Sequence, residues 1–228
     1  MTMKNLGVFE KIIAGVIRFL LPVLLILTSV WIVLQTAKTW VNIEYRMPGF
    51  PADSYGFTLE DRLYWSSVDI NYILSDVEIA YFDAFQLENG MPMHNGRELS
   101  HMEDVKNLIQ LTWRVLGIGW LLMIVGVVVL QQRAGWSGVV EVLASGARAT
   151  LWLMVILVVG IIAAFGVLFV GFHRILFTGD TWLFAYSDTF IRLYPERFWR
   201  DTFILVALVT LILSALFLWV PKRIFKRA

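Results

Sequence analysis

Four long apolar stretches, 12–36, 108–130, 149–172 and 202–220, hold 91 of the 228 residues and only two charged side chains, Arg18 and Arg114. A helix crosses roughly 30 Å of hydrocarbon with about 20 apolar residues, so each stretch is long enough to span a bilayer. The other 35 Lys, Arg, Asp and Glu residues crowd into the remaining 137 positions, at the density of an ordinary soluble surface. This segregation predicts an all-α membrane protein, a four-transmembrane-helix bundle, and excludes a soluble globular domain. The first stretch is too long for a signal-peptide core and no small-residue cleavage site follows it, so it reads as a retained helix. There is no cysteine, which excludes a disulfide scaffold and a thiolate-bound metal. A net charge of +1 gives no reason to expect nucleic acid as a partner.

Lys and Arg near the helix ends set the orientation. Residues 1–18, 131–148 and 221–228 carry nine basic side chains (Lys4, Lys11, Arg18, Arg133, Arg148, Lys222, Arg223, Lys226 and Arg227) against two acidic ones, Glu10 and Glu141. Both termini are therefore expected in the cytoplasm, with 37–107 forming a small mixed α/β extracytoplasmic cap and 173–201 a second outer loop. Within the cap, Thr58 and Asp61 read as a capping box opening a helix over 58–74. Residues 78–94 read as a hairpin turning at Asn89-Gly90. Residues 188–194 suit one or two helical turns, and Pro195 suits the first position of the fourth helix. The Gly-rich 131–148 stretch is expected at the cytoplasmic interface. Trp31, Trp40, Trp113, Trp182 and Trp199 fall near outer helix ends, as in an aromatic belt.

The three histidines, His94, His101 and His173, all map to the outer side. His101 precedes the second apolar stretch and His173 follows the third, so residues 72 apart in sequence reach one face of the bilayer. Histidine is the usual proton carrier near neutral pH; a lone interfacial His is as readily a polar tip in the headgroup layer, which is the reading for His94. Glu98 and Asp104 flank His101, and Asp104, three residues on, shares its helical face. A carboxylate there raises the basicity of a His and fixes its tautomer, and acidic residues equally suit a helix start. A metal needs three or four ligands. His101, Asp104 and His173 supply three, but no H-E-x-x-H is present, so no metal is expected. Arg114 within the second stretch is either a partner for a phosphate or carbonyl group or a side chain snorkelling to the headgroups. No Gly-x-Ser-x-Gly elbow, P-loop or dinucleotide fingerprint occurs.

The run Glu98-Leu-Ser-His-Met-Glu-Asp-Val-Lys106, the Phe172-His173 pair, Trp182, and then Asp188-x-x-Ile-x-Leu-x-Pro-Glu-x-Phe198 together resemble the lipoprotein intramolecular transacylase family. The resemblance implies a multi-pass protein of the bacterial cytoplasmic membrane with its site at the outer leaflet. The implied substrate is a bacterial lipoprotein whose N-terminal cysteine carries a diacylglyceryl thioether and a free α-amine. The implied reaction moves the sn-2 acyl chain to that amine and leaves a lyso-form lipoprotein. His101 and His173 take the family's two catalytic positions. Glu98, Asp104, Arg97, Arg174, Arg114 and Trp182 are the supporting or substrate-binding candidates. The chemistry agrees: amine and ester belong to one molecule, so no enzyme nucleophile is needed, and ester to amide runs downhill, so no cofactor is expected. His173 is the expected base and His101 its orienting or proton-donating partner, with Asp104 or Glu98 supporting His101. Arg97, Arg174, a protonated His or backbone N–H groups are the candidate oxyanion donors. A metal-dependent membrane hydrolase and a non-enzymatic four-helix sensor or assembly protein are the alternatives.

Overall fold

The computed structural model describes residues 7–225; Lys4, Lys226 and Arg227 lie outside them. The chain is helical: α1 (Val8–Gln35), α2 (Ala37–Glu44), α3 (Leu59–Leu74), α4 (Gly96–Leu176), α5 (Thr189–Leu193) and α6 (Glu196–Phe225), with a 3-10 helix at Ile79–Ala84. Three of these, α1, α4 and α6, are long and apolar enough to cross a membrane. The four apolar stretches fall on three helices because 108–130 and 149–172 share α4, whose helical backbone runs for 81 residues.

That run reverses on itself. Gly135 carries φ +69°, a backbone conformation that side chains with a Cβ disfavour. Residues before it, Met123 and Leu130, and after it, Val142, Leu143 and Ala147, lie in one buried cluster with Ala14, Ile17, Leu21 and Leu24 of α1. The 131–148 stretch is thus a helical turn with a buried face, and not only an interfacial loop.

The chain forms two compact units. The first comprises the chain up to Trp31, Thr112–Ala163, and the chain from Ile204 onward. Here α1 packs against both arms of α4 through small residues, the usual way helices approach closely in lipid. A Cβ placed on Gly146 would come within 3.1 Å of Leu21 Cδ2 and 3.4 Å of the Arg18 carbonyl oxygen. Buried hydroxyls are satisfied locally: Ser29, Thr150 and Ser214 each donate to the carbonyl four residues back. Trp120 Nε1 donates to Thr28 Oγ1 at 3.1 Å. The outward faces are apolar, with Leu121, Ile124, Ile156, Ile162 and Ile212 all well exposed. So large an exposed apolar surface suits lipid and not water, and the chain is a membrane protein.

The second unit comprises Ile32–Leu111 and Ala164–Phe203. Its core gathers Val41, Tyr45, Val68, Tyr72, Phe82, Met93, Met102, Phe190, Leu193, Tyr194 and Phe198. Polar ties fasten the 37–107 segment to 189–203: Tyr45 OH donates to the Leu193 carbonyl at 2.8 Å, Trp40 Nε1 donates to Thr202 Oγ1 at 2.8 Å, and Arg192 pairs with Asp53 at 2.9 Å. Thr58 and Asp61 form the expected capping box of α3. Asn95 and Glu98 form a second one at the start of α4.

The mixed α/β cap is corrected to an all-helical one. Residues 79–84 coil into the 3-10 helix, and a single antiparallel bridge, Gln86 with Pro92, is all that forms of the hairpin among the described residues. The reason lies in the donors. Phe85 N–H is spent on the Phe82 carbonyl of the 3-10 turn, so it cannot return the bond that Met93 N–H gives to Phe85. Pro92 has no N–H to extend the ladder. The turn itself forms as expected, with Gly90 at φ +78°. Pro195 sits one residue ahead of α6, where its carbonyl accepts from Phe198 N–H at 2.8 Å.

Candidate active site

His101 and His173 meet. On a straight helix 72 residues would separate them by about 108 Å at 1.5 Å per residue. Because α4 reverses, their ring centroids lie 5.9 Å apart with planes 28° from parallel. Helix α4 runs beyond both apolar stretches, from Gly96 to Leu176, so both histidines sit on helical arms that project past the apolar segments.

The pair is enclosed by aromatic rings. His101 touches Phe177, Phe184 and Phe190 edge-on at 5.0, 5.4 and 5.8 Å. His173 contacts Phe169 at 4.2 Å and Trp182 at 5.0 Å. Both histidines are buried. Trp182 is therefore a wall of the site and not part of an exposed aromatic belt; its Nε1 donates to the Gly179 carbonyl at 3.2 Å.

The two imidazoles are held differently. His173 Nδ1 lies 2.8 Å from the Phe169 carbonyl oxygen. A carbonyl only accepts, so Nδ1 carries the proton and Nε2 carries the lone pair. His101 Nδ1 is buried with no hydrogen-bond partner. Burial first, and the neighbouring His173 second, push the His101 pKa down to about 4. His101 is thus neutral at physiological pH.

Among the supporting candidates, Glu98 is almost fully buried, but its partners are other than His101. Its Oε2 accepts from Asn95 N–H at 2.7 Å and its Oε1 from Phe190 N–H at 2.6 Å. Asp104 Oδ2 accepts from Thr181 Oγ1 at 3.3 Å, and no three His, Asp or Glu side chains gather as a metal site among the described residues. Arg97 donates to the Leu183 carbonyl at 2.8 Å, tying α4 to the segment that carries Trp182 and Phe184. Arg174 is exposed. Arg114 is also exposed and belongs to the other compact unit.

Two features escape the sequence. The phenylalanines at 177, 184 and 190 have no periodicity that marks them as a cage. His94, read as a solitary loop residue, is 2% exposed and bonds Asp69 through Nε2 at 2.8 Å. Only the four-residue spacing of His94 and Glu98 hints at this.

The sequence model described as lipoprotein intramolecular transacylase Lit matches residues 16–199. A protein of Aquifex aeolicus (strain VF5), itself uncharacterized, is 30% identical over 185 residues, covering 80% of this chain and 82% of its own. The in meso structure of the membrane-integral lipoprotein intramolecular transacylase Lit from Bacillus cereus superposes with a TM-score of 0.79 at 20% identity, over 97% of this chain and 98% of that one. A form of that protein with one histidine replaced by alanine superposes with a TM-score of 0.73 at 20% identity, over 96% of this chain and 94% of that one. The solved structures share the fold, and the match across 16–199, which includes both paired histidines, establishes that the chain belongs to the lipoprotein intramolecular transacylase family.

Proposed function

We propose that the chain moves the sn-2 acyl chain of a diacylglyceryl-cysteine lipoprotein to the α-amine of that same cysteine, with His101 and His173 handling the protons. The observation that carries this reading is the imidazole pair, 5.9 Å apart inside a cage of aromatic rings. The cage excludes water, which favours aminolysis of the ester over its hydrolysis.

His173 is the base. Its Nδ1–H is committed to Phe169, which leaves the Nε2 lone pair for the substrate. The free amine attacks the ester carbonyl carbon, forming the C–N bond, and Nε2 takes the excess proton from nitrogen. The tetrahedral oxyanion collapses, the bond from the acyl carbon to the sn-2 oxygen breaks, and that oxygen is protonated by the His pair. The proton leaves nitrogen and arrives on oxygen, so the reaction needs no net acid, base or cofactor. An α-amine pKa near 7.7–8.0 leaves about a tenth of the substrate unprotonated at pH 7. Amine and ester are tethered in one molecule, which supplies the proximity a bimolecular reaction lacks.

The reading places four crossings in the bacterial cytoplasmic membrane, α4 contributing two, with both termini cytoplasmic and the histidines at the outer leaflet. Lys11, Arg18, Arg133, Arg148, Lys222 and Arg223 support that orientation.

The test uses purified protein in lipid and a short diacylglyceryl-cysteine lipopeptide with an isotope-labelled sn-2 chain. The reaction is an isomerisation, so intact mass stays constant and tandem mass spectrometry must locate the label. Label on the N-terminal fragment, without crossover to unlabelled lipopeptide in the same vesicles, is the expected result. Free labelled fatty acid and no N-acyl fragment would replace the reading with a hydrolase.

A further inference from the structure

The third histidine is the buried group that the reaction does not use. His94 Nε2 lies 2.8 Å from Asp69 Oδ1, and His94 Nδ1 lies 3.6 Å from Glu98 Oε1, an ion-pair distance and not a hydrogen bond. His94, Asp69 and Glu98 are 2%, 2% and 1% exposed. Asp69 Oδ2 accepts from Tyr194 OH at 3.0 Å. His94 thus lies between two carboxyl groups withdrawn from water. Burial alone would lower the His94 pKa; the Asp69 and Glu98 carboxylates outweigh it and raise it to about 9. The carboxyl groups on either side thus favour a proton on His94, while burial pushes Asp69 up in turn.

Its reach extends to the reacting pair. Glu98 Oε1 accepts the Phe190 backbone N–H at 2.6 Å, and the Phe190 ring sits 5.8 Å from His101 and 5.2 Å from Phe184, the next wall of the cage. His101 has no hydrogen bond at its buried Nδ1. Ring contacts flank the imidazole instead, and Phe190 is one of them.

We infer that His94, clamped between Asp69 and Glu98, is a positioning residue for acyl transfer: it fixes Glu98, Glu98 fixes the Phe190 backbone, and Phe190 sets the orientation of His101. This rests on the assignment of His101 to the reaction. A displacement of about 1 Å in a reacting group costs on the order of 100-fold in rate, so a contact one residue removed from the imidazole has leverage over it.

The test measures kcat and KM of N-acyl formation for His94→Gln, Phe190→Leu and the double variant, with thermal unfolding of each in the same lipid. Expected are a kcat about 10-fold or more below wild type for His94→Gln with KM within about twofold, since the substrate contacts are untouched. In the double variant the two losses are expected not to multiply, because both act through one ring. A folded His94→Gln with wild-type kcat, or losses that multiply in the double variant, would overturn the inference. If His94→Gln does not fold, Tyr194→Phe carries the test, since it removes one hydroxyl from the same network: lowered kcat at constant KM supports the inference and wild-type kcat overturns it. Should wild type form no N-acyl product, or His101→Asn match wild type, the acyl-transfer reading itself fails, a result distinguishable from both.

Discussion

The two compact units solve the same packing problem with opposite chemistry. In the unit built from α1, the middle of α4 and most of α6, cohesion comes from apolar contacts and small residues. Gly146 lies against Leu21, hydroxyls bond their own helix, and the large aliphatic side chains of the outer faces are exposed. In the unit carrying the histidines, several polar groups are taken inside and paired, Asp69 with His94 and Glu98 with Phe190 N–H, and Arg192 holds Asp53 nearer the surface. The first arrangement suits a surrounding that offers no hydrogen bonds, where nothing polar can be left open. The second produces a fixed site, since a buried charge pair with one partner missing is costly and each group is confined to one position. The contrast teaches that the spanning unit tolerates exchange of one aliphatic residue for another, whereas the histidine unit depends on particular partners.

The contrast can be broken by substitution. Asp69→Ala leaves buried His94 without its 2.8 Å partner and is expected to cost about 3–5 kcal/mol. Unfolding in micelles measures the loss, and hydrogen–deuterium exchange should place it in the histidine unit, with Thr112–Ala163 keeping its protection. Equal loss of protection in both units would erase the distinction.

A pH series gives the next largest effect. His94 is raised from 6.5 to about 9 in the folded protein, so its contribution is complete below the unfolded value and is lost as pH rises through about 9. The stability of wild type should therefore fall between pH 7 and pH 10 more steeply than that of His94→Gln. Parallel curves would show that the imidazolium is not what holds the network.

In the spanning unit, Gly146→Val drives a side chain against Leu21 and the Arg18 carbonyl and is expected to cost about 1–3 kcal/mol. The loss should appear in the exchange of α1 and residues 136–163, with the kcat of the remaining folded protein unchanged. The smallest effect is expected from Tyr45→Phe, which removes the hydroxyl bonded to the Leu193 carbonyl, at about 1 kcal/mol by unfolding.

Much of the spanning unit was legible because lipid selects on composition: stretches of 19 to 25 residues with at most one charge each have few other destinations. The pairing of His101 with His173 was legible as a shared side of the membrane. Their contact depends on the reversal between Leu130 and Val142, which the placing of 131–148 between two crossings already required. The histidine unit was harder to read because its partners are distant in sequence. Asp69 and His94 are 25 residues apart, and nothing local to either names the other. Glu98 looked like a neighbour for His101 by chain proximity, yet helical geometry turns it toward His94 and Phe190. The hairpin failed on its donors: the Asn89-Gly90 turn is in place, but the 3-10 turn claims Phe85 N–H first and Pro92 has none to give.

The most direct test of the account compares wild type, His101→Asn and His173→Asn on the labelled diacylglyceryl-cysteine lipopeptide, reading N-acyl product by tandem mass spectrometry and folding by thermal unfolding. The account predicts that His173→Asn, which loses the Nε2 base, falls by about 100-fold or more, that His101→Asn also falls steeply, and that both stay folded. N-acyl product at the wild-type rate from folded His173→Asn would contradict it.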